Sequence, residues 1–151
     1  MSLTGETNRH RRLDWILGGL TVAAIVSTVL GHRLRSLVLE NFGFFALLTL
    51  TVLFVAMAWW RFVRARSSGM LGGRAWVSLA GCLALSLAFT LPFIPIFFWS
   101  FAPRWDYRFL MLAFSLSALL AGAMAARRVG FPLVAGGFLI AVFALILPQG
   151  V

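Results

Sequence analysis

Few side chains in this 151-residue chain could carry out chemistry, and the sequence scatters them. It contains two histidines, four acidic residues and one cysteine. His10 lies in an arginine-rich N-terminal segment and His32 follows a long apolar run, so the two rings are expected too far apart to ligate one metal or haem. No acidic residue lies in the middle of an apolar run, where the carboxylates of ion pathways are found. The sequence therefore predicts no catalytic residue, no cofactor and no metal site.

One polar cluster follows the first apolar run and could support catalysis on a lipid or isoprenoid head group. Its members are His32, Arg33, Arg35, Glu40 and Asn41. A solvated loop that caps the second apolar run explains the same residues, and this interpretation is favoured. The serines and threonines inside the apolar runs have no histidine or acid beside them, so no activated nucleophile is predicted.

The elements that position these residues are set by uncharged stretches, at 15–31, 42–60, 75–103, 109–126 and 129–151. The chain is 62% hydrophobic and 11% charged, whereas soluble domains are about half apolar and a quarter charged. A bilayer core needs about 20 apolar residues as helix, with all backbone groups paired inside the segment. The composition thus predicts an all-α, polytopic integral membrane helix bundle with about five transmembrane helices.

The predicted bundle is a single membrane domain. A short basic tail at 1–12 precedes spans at about 13–31, 43–60, 75–95, 109–126 and 131–148. Pro92 and Pro95 interrupt the third run, because proline removes a helical N–H and clashes with the preceding turn. Two interpretations stay open there: a helix over 76 to about 91 followed by an interfacial aromatic segment, or one kinked helix. Four spans would be the alternative to five.

The net charge of +9 is a signal of orientation. All thirteen basic residues are arginines, and in the five-span arrangement nine lie on the N-terminal side and four on the other. The positive-inside rule places the N-terminus in the cytoplasm, where anionic lipid head groups are the expected partners. A nucleic-acid partner is excluded because the arginines form no clustered stripe. The tryptophans fall at span ends and are all predicted to be membrane anchors.

Small residues four apart predict where helices pack, since helices in lipid associate through close backbone approach. The first span offers Gly19, Ala23 and Ser27, and the fourth offers Ala113, Ser117, Ala121 and Ala125, with Gly122 in a parallel row. Packing within the chain is favoured over a dedicated dimer motif. The second span is bulkier and is expected to face lipid or a partner.

Three short motifs resemble the small membrane subunit of tripartite tricarboxylate transporters. They are Arg12-Leu13-Asp14-Trp15-Ile16-Leu17-Gly18, Gly43-Phe44-Phe45 and Leu147-Pro148-Gln149-Gly150. The chain departs from the family at Ala46, where the family has proline, and in the aromatic segment 92–103. The resemblance implies a multi-pass protein of the bacterial inner membrane that accompanies a larger transport subunit and a periplasmic binding protein, without catalytic residues.

The expected function is that of a non-enzymatic accessory subunit of a bacterial transport complex. Its expected partner is a larger membrane subunit or a second copy of the chain. Two alternatives stay open: a small membrane-embedded enzyme that acts at the polar cluster, and a pore-forming oligomer.

Overall fold

The computed structural model describes residues 3–69, 72–91, 106–125 and 127–146. These residues form five α-helices without any strand, so the predicted all-α class is confirmed. The helices are α1 (Leu3–Leu34), α2 (Leu37–Ser67), α3 (Gly73–Thr90), α4 (Asp106–Met124) and α5 (Arg127–Ile146). The first three are long and apolar enough to cross a membrane. The last two contain shorter apolar stretches, Phe109–Met124 and Val129–Leu145.

All five helices begin before the predicted spans, and α1 and α2 extend furthest beyond them. The segment predicted as a basic tail is helical from Leu3 onward, because arginine and glutamate are good helix formers and no proline interrupts them. Helix α2 continues past the predicted end near 60 as far as Ser67. It ends where the hydroxyls of Ser67 and Ser68 donate to the carbonyl of Arg64 at 2.8 and 2.7 Å. The proline-broken segment after α3 lies outside the described residues.

The chain divides into two compact units, residues 1–50 and residues 51–151, and the boundary falls inside α2. In the first unit, α1 and the beginning of α2 form an antiparallel helical hairpin. A Cβ atom at Gly31 would lie 2.6 Å from the backbone nitrogen of Glu40, and one at Gly43 would lie 2.9 Å from that of Thr28. The two helices therefore touch through their backbones at glycine.

The contacting face of α1 is made of small and hydroxylated residues, Thr21, Ala24, Thr28 and Gly31. The hydroxyls of Thr21 and Thr28 donate to the carbonyls of Leu17 and Ala24, each at 2.8 Å. Each hydroxyl is thus satisfied within its own helix, which lets these residues pack like small apolar ones.

A Schellman motif ends α1. The amide of Ser36 donates to the carbonyl of Gly31 at 3.0 Å, and the amide of Arg35 donates to that of His32 at 3.4 Å. Arg35 has a φ of 52°, in the left-handed region where this motif normally uses glycine. The turn between α1 and α2 is therefore built on a strained arginine.

We expect Arg35→Gly to raise the free energy of unfolding of the hairpin. The left-handed conformation costs an L-residue roughly 1 kcal/mol, and glycine removes this cost. The greater conformational freedom of glycine in the unfolded chain offsets part of this stabilisation. The net stabilisation should be about 0.5 kcal/mol, measured by SDS-induced unfolding in dodecyl maltoside micelles. Arg35→Ala removes the same charge but keeps the strain, so it should not stabilise; an equal gain in both variants would contradict the explanation.

The second unit packs α3, α4 and α5 together with the C-terminal half of α2. Its centre consists of side chains that are fully buried, among them Phe54, Ala58, Leu85 and Leu133. Phe54 and Ala58 belong to the run that was expected to face lipid or a partner. That expectation fails for this half of α2, since Phe54 meets Phe131 edge-on at 6.0 Å between ring centroids.

Helices α4 and α5 form an antiparallel pair with backbone contact. A Cβ atom at Gly130 would lie 2.6 Å from the carbonyl oxygen of Gly122, and one at Gly137 would lie 2.8 Å from that of Ser115. Helix α3 joins them at Gly81, where a Cβ atom would lie 2.9 Å from that of Ala121. Glycine is required at these positions by close approach, as is common where helices associate in lipid.

Trp59, predicted from the sequence to be a membrane anchor, packs against the second unit and forms a side-chain hydrogen bond within it. Its Nε1 donates to Ser86 Oγ at 2.8 Å, and Ser86 Oγ donates to the carbonyl of Cys82 at 2.8 Å. Its ring packs against the core and meets Phe62 edge-on. The polar end of the indole is thus satisfied by a half-buried serine of α3.

Candidate functional site

The predicted polar cluster lies at the turn between α1 and α2. His32 is in the last turn of α1 and Glu40 is in the first turn of α2. The Schellman turn and the close approach of Gly31 to the backbone of Glu40 bring them together, with His32 Nδ1 3.4 Å from Glu40 Oε1. The structure thus joins the histidine and the acid that the sequence placed in one cluster.

This pair is open to solvent. The side chain of His32 is 81% exposed and that of Glu40 is 41% exposed. Arg33, Arg35 and Asn41 are exposed as well. A histidine beside a carboxylate can exchange a proton with a bound group, but an exposed pair contributes little to stability because water screens it.

The other groups with possible chemistry are separate from this pair. His10 lies twenty-two residues earlier on α1, about 33 Å along the helix. Cys82 is fully buried in the second unit. Across the described helices, no three histidine, cysteine or acidic side chains come together as a metal site. Ser78 and Ser117 donate to the carbonyls of Arg74 and Ala113, as expected for serines inside apolar helices.

The residues predicted to pack helices are divided between exposed and buried positions. Gly19 and Ala23 are exposed on α1, and nothing lies within 4 Å of a Cβ atom at Gly19. Ser27 is half-buried. On α4, Ala113 and Ser117 are exposed, Ala121 is half-buried, and Gly122 is buried against Val134 and Leu133 of α5. Ala125, just after α4, is half-buried.

Sequence reasoning identified Gly122 but missed the full rows that the chain itself uses for packing. On α4 the buried row is Met111, Ser115, Ala118 and Gly122, with spacing 4-3-4. On α1 the corresponding row has spacing 3-4-3. Residues four apart drift around a helix of 3.6 residues per turn, whereas alternating steps of three and four stay on one face. A search at the heptad period would have found both rows.

A second feature was also missed, at the connection between α2 and α3. We call it the basic elbow and define it as Trp60, Arg64, Arg66, Arg74 and Trp76. All five side chains are exposed, and the guanidinium carbon of Arg64 lies 5.2 Å from the ring centroid of Trp60. Arg61, predicted in a loop, instead lies within α2 and is only 6% exposed.

Comparison with protein-family models, curated proteins and solved structures finds no match.

We expect His32→Ala and Glu40→Ala to leave the protein folded and functional. An exposed ion pair of this kind contributes about 0–1 kcal/mol, so thermal unfolding in detergent should barely change. Either variant should restore whatever phenotype follows deletion of the gene. A folded variant that fails to restore it would show that the polar cluster is required for function.

Proposed function

We propose that this chain is a multi-pass protein of the bacterial inner membrane, with five spans and a cytoplasmic N-terminus. In this proposal it works as a non-enzymatic accessory subunit of a transport complex and packs against a larger membrane subunit. Three helices of sufficient length and apolarity support the membrane location. The distribution of nine arginines against four supports the orientation.

The observation that carries the subunit role is the outward position of two small-residue rows. Gly19 and Ala23 on α1, and Ala113 and Ser117 on α4, are exposed, while the packing within each unit uses other faces of the same helices. In the most apolar stretch of α1, only 11% of the residues are buried, whereas the corresponding share is 33% in α2 and in α3. Small residues let a partner helix approach closely in lipid, so these faces suit a second membrane protein.

The distribution of charged groups supports an accessory role over autonomous transport. No acidic residue occurs between Glu40 and Asp106, a stretch that includes most of α2 and all of α3. Acidic groups inside spans are the usual carriers of ion and proton coupling. A larger partner would therefore hold the substrate pathway.

The test is co-purification of the full-length chain in mild detergent from its native host. We expect a larger multi-span protein to remain bound to the wild type. The variants G19L/A23L and A113L/S117L should stay folded and lose this partner, because bulk on the small-residue rows prevents close approach. Ala123→Leu adds bulk at another exposed position of α4 and should keep the partner. A strictly monomeric wild-type protein would contradict the proposal.

The His32–Glu40 contact favours one second candidate, an enzyme that acts on a lipid head group at the polar cluster. The alanine variants described above separate the two functions. A pore-forming oligomer would instead show self-association together with increased membrane conductance on overexpression.

A further inference from the structure

The basic elbow combines stacked arginine, exposed tryptophan and an excess of positive charge. We propose that it binds the head group of an anionic phospholipid, with phosphatidylglycerol as the simplest example. This inference rests on the membrane location proposed above and assigns a specific lipid site to one part of the surface.

The geometry of the elbow suits a phosphate ligand. Arg64 stacks over Trp60, which is itself 52% exposed, so the guanidinium is held on an aromatic face at the end of α2. A stacked guanidinium loses less freedom when it binds and can donate two parallel hydrogen bonds to a phosphate. Arg66 and Arg74 are exposed on the last turn of α2 and the first turn of α3.

The second unit contains one acidic residue, and its helix begins far from this end. Asp106 is the only acidic residue in 51–151 and begins α4, whereas Ala121, fifteen residues later, is level with Gly81 in the middle of α3. Because α4 runs antiparallel to α3, its start lies about 22 Å beyond the level of Gly81, on the side away from the elbow.

The whole chain shows the same excess in the proposed topology. Nine arginines lie on the cytoplasmic side, against the two acidic residues Glu6 and Asp14. Nine positive charges against two negative charges leave an excess of seven positive charges on this side. Anionic lipid is the anion present at this level of the membrane.

The aromatic residues favour lipid over an acidic protein surface. Trp60 and Trp76 are 52% and 72% exposed, and amphipathic rings of this kind prefer the head-group region. Val63, on the last turns of α2, is 61% exposed and offers apolar surface beside the arginines. A ligand with a phosphate and an acyl chain satisfies both kinds of surface.

The test compares lipids on the full-length protein in dodecyl maltoside, with bound lipid counted by native mass spectrometry. We expect phosphatidylglycerol to bind at least tenfold more tightly than phosphatidylcholine. Each elbow arginine should contribute about fivefold, equivalent to roughly 1 kcal/mol, so R64Q/R66Q/R74Q should lose about a hundredfold in phosphatidylglycerol affinity. Trp60→Leu should lose several-fold by removing the stacking partner of Arg64.

The matched control removes the same charge elsewhere on the proposed cytoplasmic side. R9Q/R11Q/R12Q should change phosphatidylglycerol affinity less than threefold. An equal loss in both triple variants would overturn the site, because it would show diffuse electrostatic attraction. Equal affinity for the two lipids, or equal binding of soluble glycerol phosphate, would overturn it as well. If the elbow triple variant loses helical circular dichroism, the three single variants supply the same comparison.

Failure of the lipid site and failure of the proposed topology give different results. A cysteine introduced at Ser68, between α2 and α3, reports which side of the membrane the elbow occupies. Selective lipid binding with Ser68 on the external side would keep the site and contradict the orientation. Cytoplasmic Ser68 without lipid selectivity would contradict the site alone.

Discussion

Gly130→Leu is expected to lower the free energy of unfolding of the second unit by about 3 kcal/mol, at the upper end of the usual cost of overpacking. A Cβ atom there would lie 2.6 Å from the carbonyl oxygen of Gly122, which belongs to the backbone of α4. A backbone carbonyl cannot rotate aside without breaking its own helix, so α4 and α5 must separate.

The control is Gly18→Leu on α1, where nothing lies within 4 Å of a Cβ atom. Leucine is the better helix former, so this variant should be neutral or slightly stabilised. The comparison uses SDS-induced unfolding in dodecyl maltoside, followed by far-ultraviolet circular dichroism. Equal stability of the two variants would show that α4 and α5 do not approach as closely as described.

Gly43→Ala is expected to destabilise the α1–α2 hairpin by about 2 kcal/mol. A Cβ atom at Gly43 would clash with Thr28 Oγ1 and would also lie 2.9 Å from the backbone nitrogen of Thr28. Thr28→Ala removes the hydroxyl but leaves the backbone. The double variant G43A/T28A should therefore recover part of the lost stability and not all of it.

A double-mutant cycle at Gly43 and Thr28 measures this coupling. Gly19→Ala serves as the control, because that position is exposed and no atom lies near its Cβ. Additive effects of G43A and T28A would contradict direct contact between the two helices. Full recovery in the double variant would place the clash in the hydroxyl alone.

The all-α fold could be predicted from the sequence because long apolar runs leave helix as the structure that satisfies its own backbone. Helix ends were less predictable. Charge was used to end each predicted span, but charge does not end a helix. Arg61 and Arg64 continue α2, and the helix stops only where serine hydroxyls and Gly69, with a φ of 96°, provide a terminus.

The type of residue at the packing faces could be predicted, but not the positions that make contact. Small residues do mark the contacts, as Gly31, Gly43 and Gly122 show, but which small residues depends on how two helices cross. Trp59 illustrates the same limit. Its position near the end of an apolar run is typical of a membrane anchor, yet its indole N–H donates to Ser86, 27 residues away. No local pattern contains such a long-range contact.

The sequence predicted that the residues of the polar cluster lie near one another, but it did not predict the contact between His32 and Glu40. The sequence placed His32 and Glu40 near one membrane edge, since only a short segment separates their apolar runs. Their 3.4 Å contact depends on the backbone approach at Gly31 and on the left-handed Arg35. The basic elbow was missed because its arginines were read as loop charges, whereas α2 carries Arg64 and stacks it on Trp60.

Labelling of single cysteines tests most directly whether the chain spans the membrane with its N-terminus inside. Cys82 is fully buried, so the wild-type protein gives the unlabelled background. With a membrane-impermeant maleimide on intact spheroplasts, His32→Cys is expected to react at once, and Ser68→Cys only after the membrane is opened. Labelling of both cysteines in intact spheroplasts, or of Ser68→Cys alone, would contradict the proposed topology.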